Sequence, residues 1–127
     1  MKDKPLQPTE AELEILQILW QQGATTVRHV NDLLNERRTV GYTTTLKIMQ
    51  IMVEKGLAER DTSQRTHIYS AAVEEGRTQQ SLVKSFMKNA FRGSAMKLVQ
   101  SVLGNSEMSA EELAKLRQLI AEKERER

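Results

Sequence analysis

Apolar residues recur at intervals of three and four through Gly56, shift to short alternating runs, and then return to the longer interval. Leu13, Leu16 and Trp20, with Ile15 and Leu19 beside them, make one helical stripe. Thr9-Glu10-Ala11-Glu12 precedes it as a capping box, and Gly23 is its stop. Thr26 caps a second helix with Val27, Val30 and Leu34 on its inward face. Arg37 to Gly41 forms the connection. GYTTTLKIMQIMVEK, residues 41–55, is the third helix, with Thr45, Ile48, Met49 and Met52 inward and Gly56 as its end. Leu57–Asp61 and Thr66–Ser70 then read as two strands around the polar turn Thr62-Ser63-Gln64-Arg65. Three helices followed by a hairpin is the order of a winged helix.

The rest of the chain is helical and poorer in core. A helix from Glu74 to about Ala90 carries Leu82, Val83, Phe86 and Met87, and Arg92-Gly93-Ser94 breaks it. Ala95, Leu98, Val99 and Val102 mark the next helix, which Gly104-Asn105 ends. Ser109-Ala110-Glu111-Glu112 is a second capping box, opening a helix with Leu113, Leu116 and Ile120 on one face. These stripes are too thin for an independent monomeric core. Two copies sharing them would have one. The pattern therefore predicts a mostly α chain: a winged helix-turn-helix over 1–72 and a three-helix dimerisation region over 73–127. The expected homodimer contacts are Phe86, Phe91, Leu98, Val99, Val102, Leu113, Leu116 and Ile120.

Composition removes several function classes. The 127 residues include no cysteine, so disulfides and thiolate metal sites are excluded. His29 and His67 stand alone, outside any metal-ligand spacing, and no cofactor is expected. Nucleophile–base pairs, paired carboxylates and glycine-rich phosphate loops are all lacking, which argues against an enzyme. The N-terminus has no apolar signal region, and no stretch approaches the roughly 18 apolar residues of a membrane span. The expectation is a cytoplasmic protein without direct membrane insertion.

A net charge of +2 decides little, but its distribution is uneven. Acid-free windows run from Glu36 to Glu54, from Asp61 to Glu74 and from Gly76 to Ser106, and each holds basic residues. A surface that meets phosphates requires such gaps, and an ordinary solvated face also has them.

In a helix-turn-helix the third helix enters the major groove. With its core stripe turned inward, this one presents Thr43, Thr44, Lys47, Gln50 and Ile51, with Leu46 at the border and Tyr42 at its head. A threonine near the helix start can cap open amides. Another can bond a phosphate or base edge, with its methyl against thymine. Lys47 can reach guanine or phosphate, and the Gln50 amide suits adenine. Arg65 and His67 on the wing, and Arg28 at the start of helix two, are phosphate candidates.

These residues resemble the penicillinase-repressor (BlaI/MecI-type) family of bacterial transcriptional repressors. The resemblance lies in Pro8 to Leu16 with Leu19-Trp20, in Gly23 and Thr26-Val27-Arg28, and in Gly41-Tyr42-Thr43-Thr44-Thr45-Leu46. It continues in Glu54-Lys55-Gly56-Leu57, Arg65 to Tyr69, Phe91-Arg92-Gly93-Ser94, Leu98-Val99 and Glu111-Glu112-Leu113. It implies a homodimer bound to a palindromic double-stranded operator. It also implies relief by a membrane-bound sensor metalloprotease that causes a cut in the C-terminal region, where Asn89, Ala90 and Phe91 are the nearest match. Two departures stand out: Ile51 takes the place of an arginine common in relatives, and the cysteine-rich tail of a copper-responsive branch is missing. The competing expectation is a winged-helix protein-interaction adaptor without sequence-specific DNA binding, because topology alone does not choose between them.

Overall fold

The computed structural model describes residues 7–127. Six helices and one hairpin follow in the order α1 (Glu10–Gln22), α2 (Val27–Asn35), α3 (Tyr42–Lys55), β1 (Ala58–Asp61), β2 (Ile68–Ala71), α4 (Glu75–Phe91), α5 (Ala95–Asn105) and α6 (Ala110–Arg125). The chain divides into two compact units, Met1–Val83 and Lys84–Arg127, and the boundary falls inside α4.

The first unit is a winged helix. Its core gathers Ile15, Leu16, Ile18 and Leu19 from α1, Val27, Val30 and Leu34 from α2, and Met49 and Met52 from α3. Leu57, Ala58 and Tyr69 close it from the wing side. Burying each large side chain contributes about 1.5–3 kcal/mol. Ile18 belongs to the core, whereas Leu13 and Trp20 of the expected α1 stripe are half-buried. The Trp20 ring reaches out of the core to donate its N–H to the Val73 carbonyl at 2.9 Å.

Ends are specified locally. Thr9 and Glu12 form the reciprocal capping box, and the Thr26 hydroxyl accepts the His29 N–H. Gly56 ends α3 at a left-handed φ of 83°, and the Leu57 N–H donates back to the Met52 carbonyl at 2.8 Å. That reversal drops Leu57 into the core and starts β1. β1 and β2 pair antiparallel, Ala58 opposite Ala71 and Asp61 opposite Ile68. Thr25, between α1 and α2, exchanges two backbone hydrogen bonds with Tyr69 at 2.9 and 2.7 Å. It thus adds a one-residue third strand to the hairpin, which no run of alternating residues announces.

Glu12 has a second task. Besides holding the Thr9 N–H at 2.9 Å, the same carboxylate oxygen takes the Lys55 ammonium at 2.7 Å, tying the start of α1 to the end of α3.

In the second unit, the described part of α4 from Lys84 onward, α5 and α6 bury no side chain. Val83 lies at the edge of the first unit and is also exposed. Ser109 closes the second capping box on α6, as expected from the sequence, and Ser94, the last residue of the expected break, caps α5. α4 terminates through two consecutive left-handed residues, Arg92 (φ 52°) and Gly93 (φ 83°).

The Glu12 clasp generates a pH prediction. Burial opposes its charge, but the Lys55 ammonium and the Thr9 N–H outweigh burial and hold the carboxyl below its ordinary 4.5. A depressed carboxyl stabilises the fold above the unfolded value and loses that contribution as pH falls below 4.5 through the folded value. Glu12→Gln is therefore expected to cost about 1.5–3 kcal/mol at pH 7, the range of a charge-assisted hydrogen bond. In urea titrations the gap from wild type should shrink towards pH 3; a gap that persists there would contradict the ion-pair assignment.

Candidate nucleic-acid interface

α3 divides cleanly into two faces. Thr45, Met49 and Met52 are buried, while Tyr42, Thr43, Thr44, Lys47, Gln50 and Ile51 are exposed, with Leu46 and Ile48 between. The three adjacent threonines therefore do different things. Thr43 and Thr44 point outward. Thr45 is fully buried, and its hydroxyl accepts from the Asn31 amide at 2.7 Å. Capping is not the role of Thr43: the N-cap is Gly41, which supplies no side-chain bond. The first amides of α3 are thus left without a side-chain partner, beside two exposed hydroxyls.

The pose of this helix is set from α2. Asn31 is 6% exposed and uses both amide hydrogens, one on Thr45 and the other on the Val40 carbonyl at 3.1 Å. One turn later Asn35 donates to the same carbonyl at 2.8 Å, and its oxygen accepts the Val40 N–H at 3.2 Å. Two side-chain amides thereby grip the residue just before the Gly41 cap. Asn31 and Asn35 were missed in the sequence; their i,i+4 spacing before an irregular connection was the available sign.

Around the head of α3 the other candidates converge. The Arg28 guanidinium lies over the Tyr42 ring, 4.7 Å from its centroid. Such stacking fixes a long side chain while leaving its charge accessible. Arg28, Tyr42 and Leu46 join Arg65, Thr66 and His67 from the wing in lining an open groove of about 510 Å³, floored by Val27 and Tyr69. Lys47 and Gln50 continue along the exposed face of α3, outside that groove. At the wing, the Ser63 N–H bonds the Asp61 carboxylate at 2.9 Å and holds that carboxyl below its usual range, with the nearby His67 adding to the shift.

Charge in space differs from charge along the chain. Arg37 and Arg38, in the first acid-free window, are met by Glu14 of α1 at 3.3 and 2.8 Å. Exposed pairs of this kind are worth little, but they occupy the two guanidiniums. Lys47 makes no ion pair among the described residues.

In the second unit Phe86, Val99, Val102, Leu113 and Ile120 are exposed, while Leu98, Leu116 and Phe91 are half-buried. Met96, Leu103 and Leu119, which the sequence stripes omitted, are exposed too, at 66%, 44% and 62%. Phe86 and Phe91 meet edge to face with ring centroids 5.5 Å apart. Asn89 and Ala90 lie in the last turn of α4 and Phe91 is its final residue, so this trio is helical; the connection to α5 is only Arg92 to Ser94.

The model of the penicillinase repressor family matches residues 8–122. The chain belongs to that family. It is therefore a transcription regulator rather than an enzyme. The penicillinase repressor of Bacillus licheniformis is 25% identical over 122 residues, covering 96% of this chain and 94% of that protein. The methicillin resistance regulatory protein MecI of Staphylococcus aureus is 20% identical over 123 residues, with 97% and 100% covered. Among solved structures, H. salinarum RosR superposes with a TM-score of 0.52 at 18% identity, covering 94% of this chain and 96% of that one. An E. coli MarR mutant complexed with operator DNA gives 0.50 at 18% identity, with 90% and 74% covered. These likenesses support the winged-helix fold expected from the sequence. Among the described residues no helix is long and apolar enough to cross a membrane.

Proposed function

We propose that the chain is a dimeric, sequence-specific DNA-binding repressor that reads a palindromic operator with the outward face of α3. The observation that carries this reading is the division of that helix. Thr43, Thr44, Lys47 and Gln50 form a polar exposed row, locked in place by the buried Thr45 on the opposite side. Threonine, lysine and glutamine are side chains that match base edges and phosphates. Arg28, stacked on Tyr42, and Arg65 with His67 on the wing flank the row where phosphate strands would run. Membership of a repressor family supports the same reading.

Dimerisation over residues 73–127, apart from the DNA-binding domain of residues 1–72, is the second part of the proposal. Exposed Phe86 on α4, Val99 and Val102 on α5, and Leu113 and Ile120 on α6 are costly in water and useful against a second copy. Two heads joined through their tails act as one bivalent ligand for half-sites about one helical turn apart. Relief of repression completes the proposal: a cut at Asn89, Ala90 or Phe91, under a membrane-bound sensor metalloprotease, would free the heads from the tails. The operator partner and the repressor's own site of action are both cytoplasmic in this scheme.

Gel shifts with operator and scrambled duplexes test the DNA reading. Thr44→Ala and Lys47→Ala are each expected to lose about 1–3 kcal/mol of operator affinity, while Arg65→Ala weakens both duplexes alike. Unchanged operator affinity in the first two variants would refute this orientation of α3, and equal binding of both duplexes by wild type would favour the adaptor.

Leu116→Asp should give a monomer with a folded head and sharply reduced affinity for the palindrome, read by light scattering and gel shift. A variant that remains dimeric moves the interface elsewhere. For relief, mass spectrometry of induced cells should find fragments ending between Asn89 and Phe91; full derepression with only intact chain would rule cleavage out.

A further inference from the structure

One side chain on the outward face of α3 differs in kind from its neighbours. Ile51 is 37% exposed on the face that also carries Thr43, Thr44, Lys47 and Gln50, and it is not among the residues packed against the core. Tyr42 is the other large apolar residue exposed there, and it has the Arg28 guanidinium over its ring. Ile51 stands seven residues beyond Thr44 and four beyond Lys47, which keeps all three on one helical face.

The major groove presents donors and acceptors at every base pair but only one apolar group, the C5-methyl of thymine. Isoleucine neither donates nor accepts. Against a cytosine its branched chain would cover the exocyclic amine and leave it unpaired, and against thymine it would bury a methyl. We propose that Ile51 is a specificity-determining residue that reads one thymine methyl in each operator half-site. This rests on the assignment of α3 as the DNA-reading helix and adds the base that its middle selects. At 1.5 Å of rise per residue, Ile51 lies about 10.5 Å along the helix from Thr44. A helix lying along the groove can read bases over about that length. The selected thymine therefore falls about three base-pair steps from the pair nearest Thr44, taking 3.4 Å per step.

The test removes only the methyl. The full-length protein selects its site from a random duplex library, and each thymine of the selected site is then replaced, symmetrically in both half-sites, by deoxyuridine. One position should lower wild-type affinity about fourfold per half-site, the worth of one buried carbon group. Ile51→Ala should bind that thymine site and its deoxyuridine form equally, and Ile51→Val should keep part of the difference. Thermal melts should be the same for all three proteins, because the side chain lies outside the core. A selected site that tolerates deoxyuridine everywhere would overturn the role of Ile51 while leaving α3 as the reader. So would methyl effects that all survive Ile51→Ala, since an effect from the Thr43 or Thr44 methyl would persist only at its own thymine, nearer the start of α3. Failure to select any sequence would overturn the DNA reading and this inference together.

Discussion

The short hydrogen bond from Asn31 to Thr45 is the constraint on which the outward face of α3 depends. It joins the middle of α2 to the first turn of α3 beside an apolar core cluster. Hydrophobic packing is non-directional and would permit the helix to rotate by a fraction of a residue. A buried amide facing a buried hydroxyl would not, because any rotation leaves both groups unpaired at about 1–3 kcal/mol each. With Thr45 fixed, Thr44 and Lys47 have no choice but to face outward. The grip of Asn31 and Asn35 on Val40 extends the same control to the connection, which has little regular structure of its own.

The wing is held with similar economy. Tyr69 is buried in the core and its backbone pairs with Thr25, so β2 is anchored on both the side-chain and the main-chain level. Arg65 and His67 stand just before that anchor, in the exposed turn. A two-stranded ribbon alone is marginal in water; this one is kept by its attachment to the entrance of α2. The Glu12–Lys55 clasp does the corresponding work between α1 and the far end of α3. The head is thus tied at both ends of the helix that would read DNA.

Much of the head was legible because helical period and burial agree. The repeat of Thr45, Met49 and Met52 fixes which face of α3 is inward, and the outward residues follow by subtraction. The polar details were less legible. Asn31 occupies an inward position, but a lone asparagine in a sequence looks the same whether solvated or clasped. Thr43 resembles a cap by composition, yet Gly41 ends the extended connection and takes that place. A single-residue strand such as Thr25 has no period to detect. Acid-free windows along the chain miss acids that return in space, as Glu14 does beside Arg37 and Arg38. The tail stripes were seen only in part, since Met96, Leu103 and Leu119 extend the exposed apolar surface beyond the residues singled out by spacing.

The short connection after α4 has a kinetic consequence. Endopeptidases take their substrates extended, while Asn89, Ala90 and Phe91 are wound into the last turn of a helix that a left-handed pair, Arg92 and Gly93, brings to an abrupt stop. Under the proposed mechanism of relief, a cut there would wait for that turn to fray. When fraying and rewinding are fast relative to cleavage, the rate follows the small fraction of time spent open. The edge-to-face contact of Phe86 with Phe91 opposes that opening. Under the proposed relief, the delay between signal and derepression would then be written in the stability of one helical turn, which the Phe86–Phe91 contact holds closed from five residues upstream.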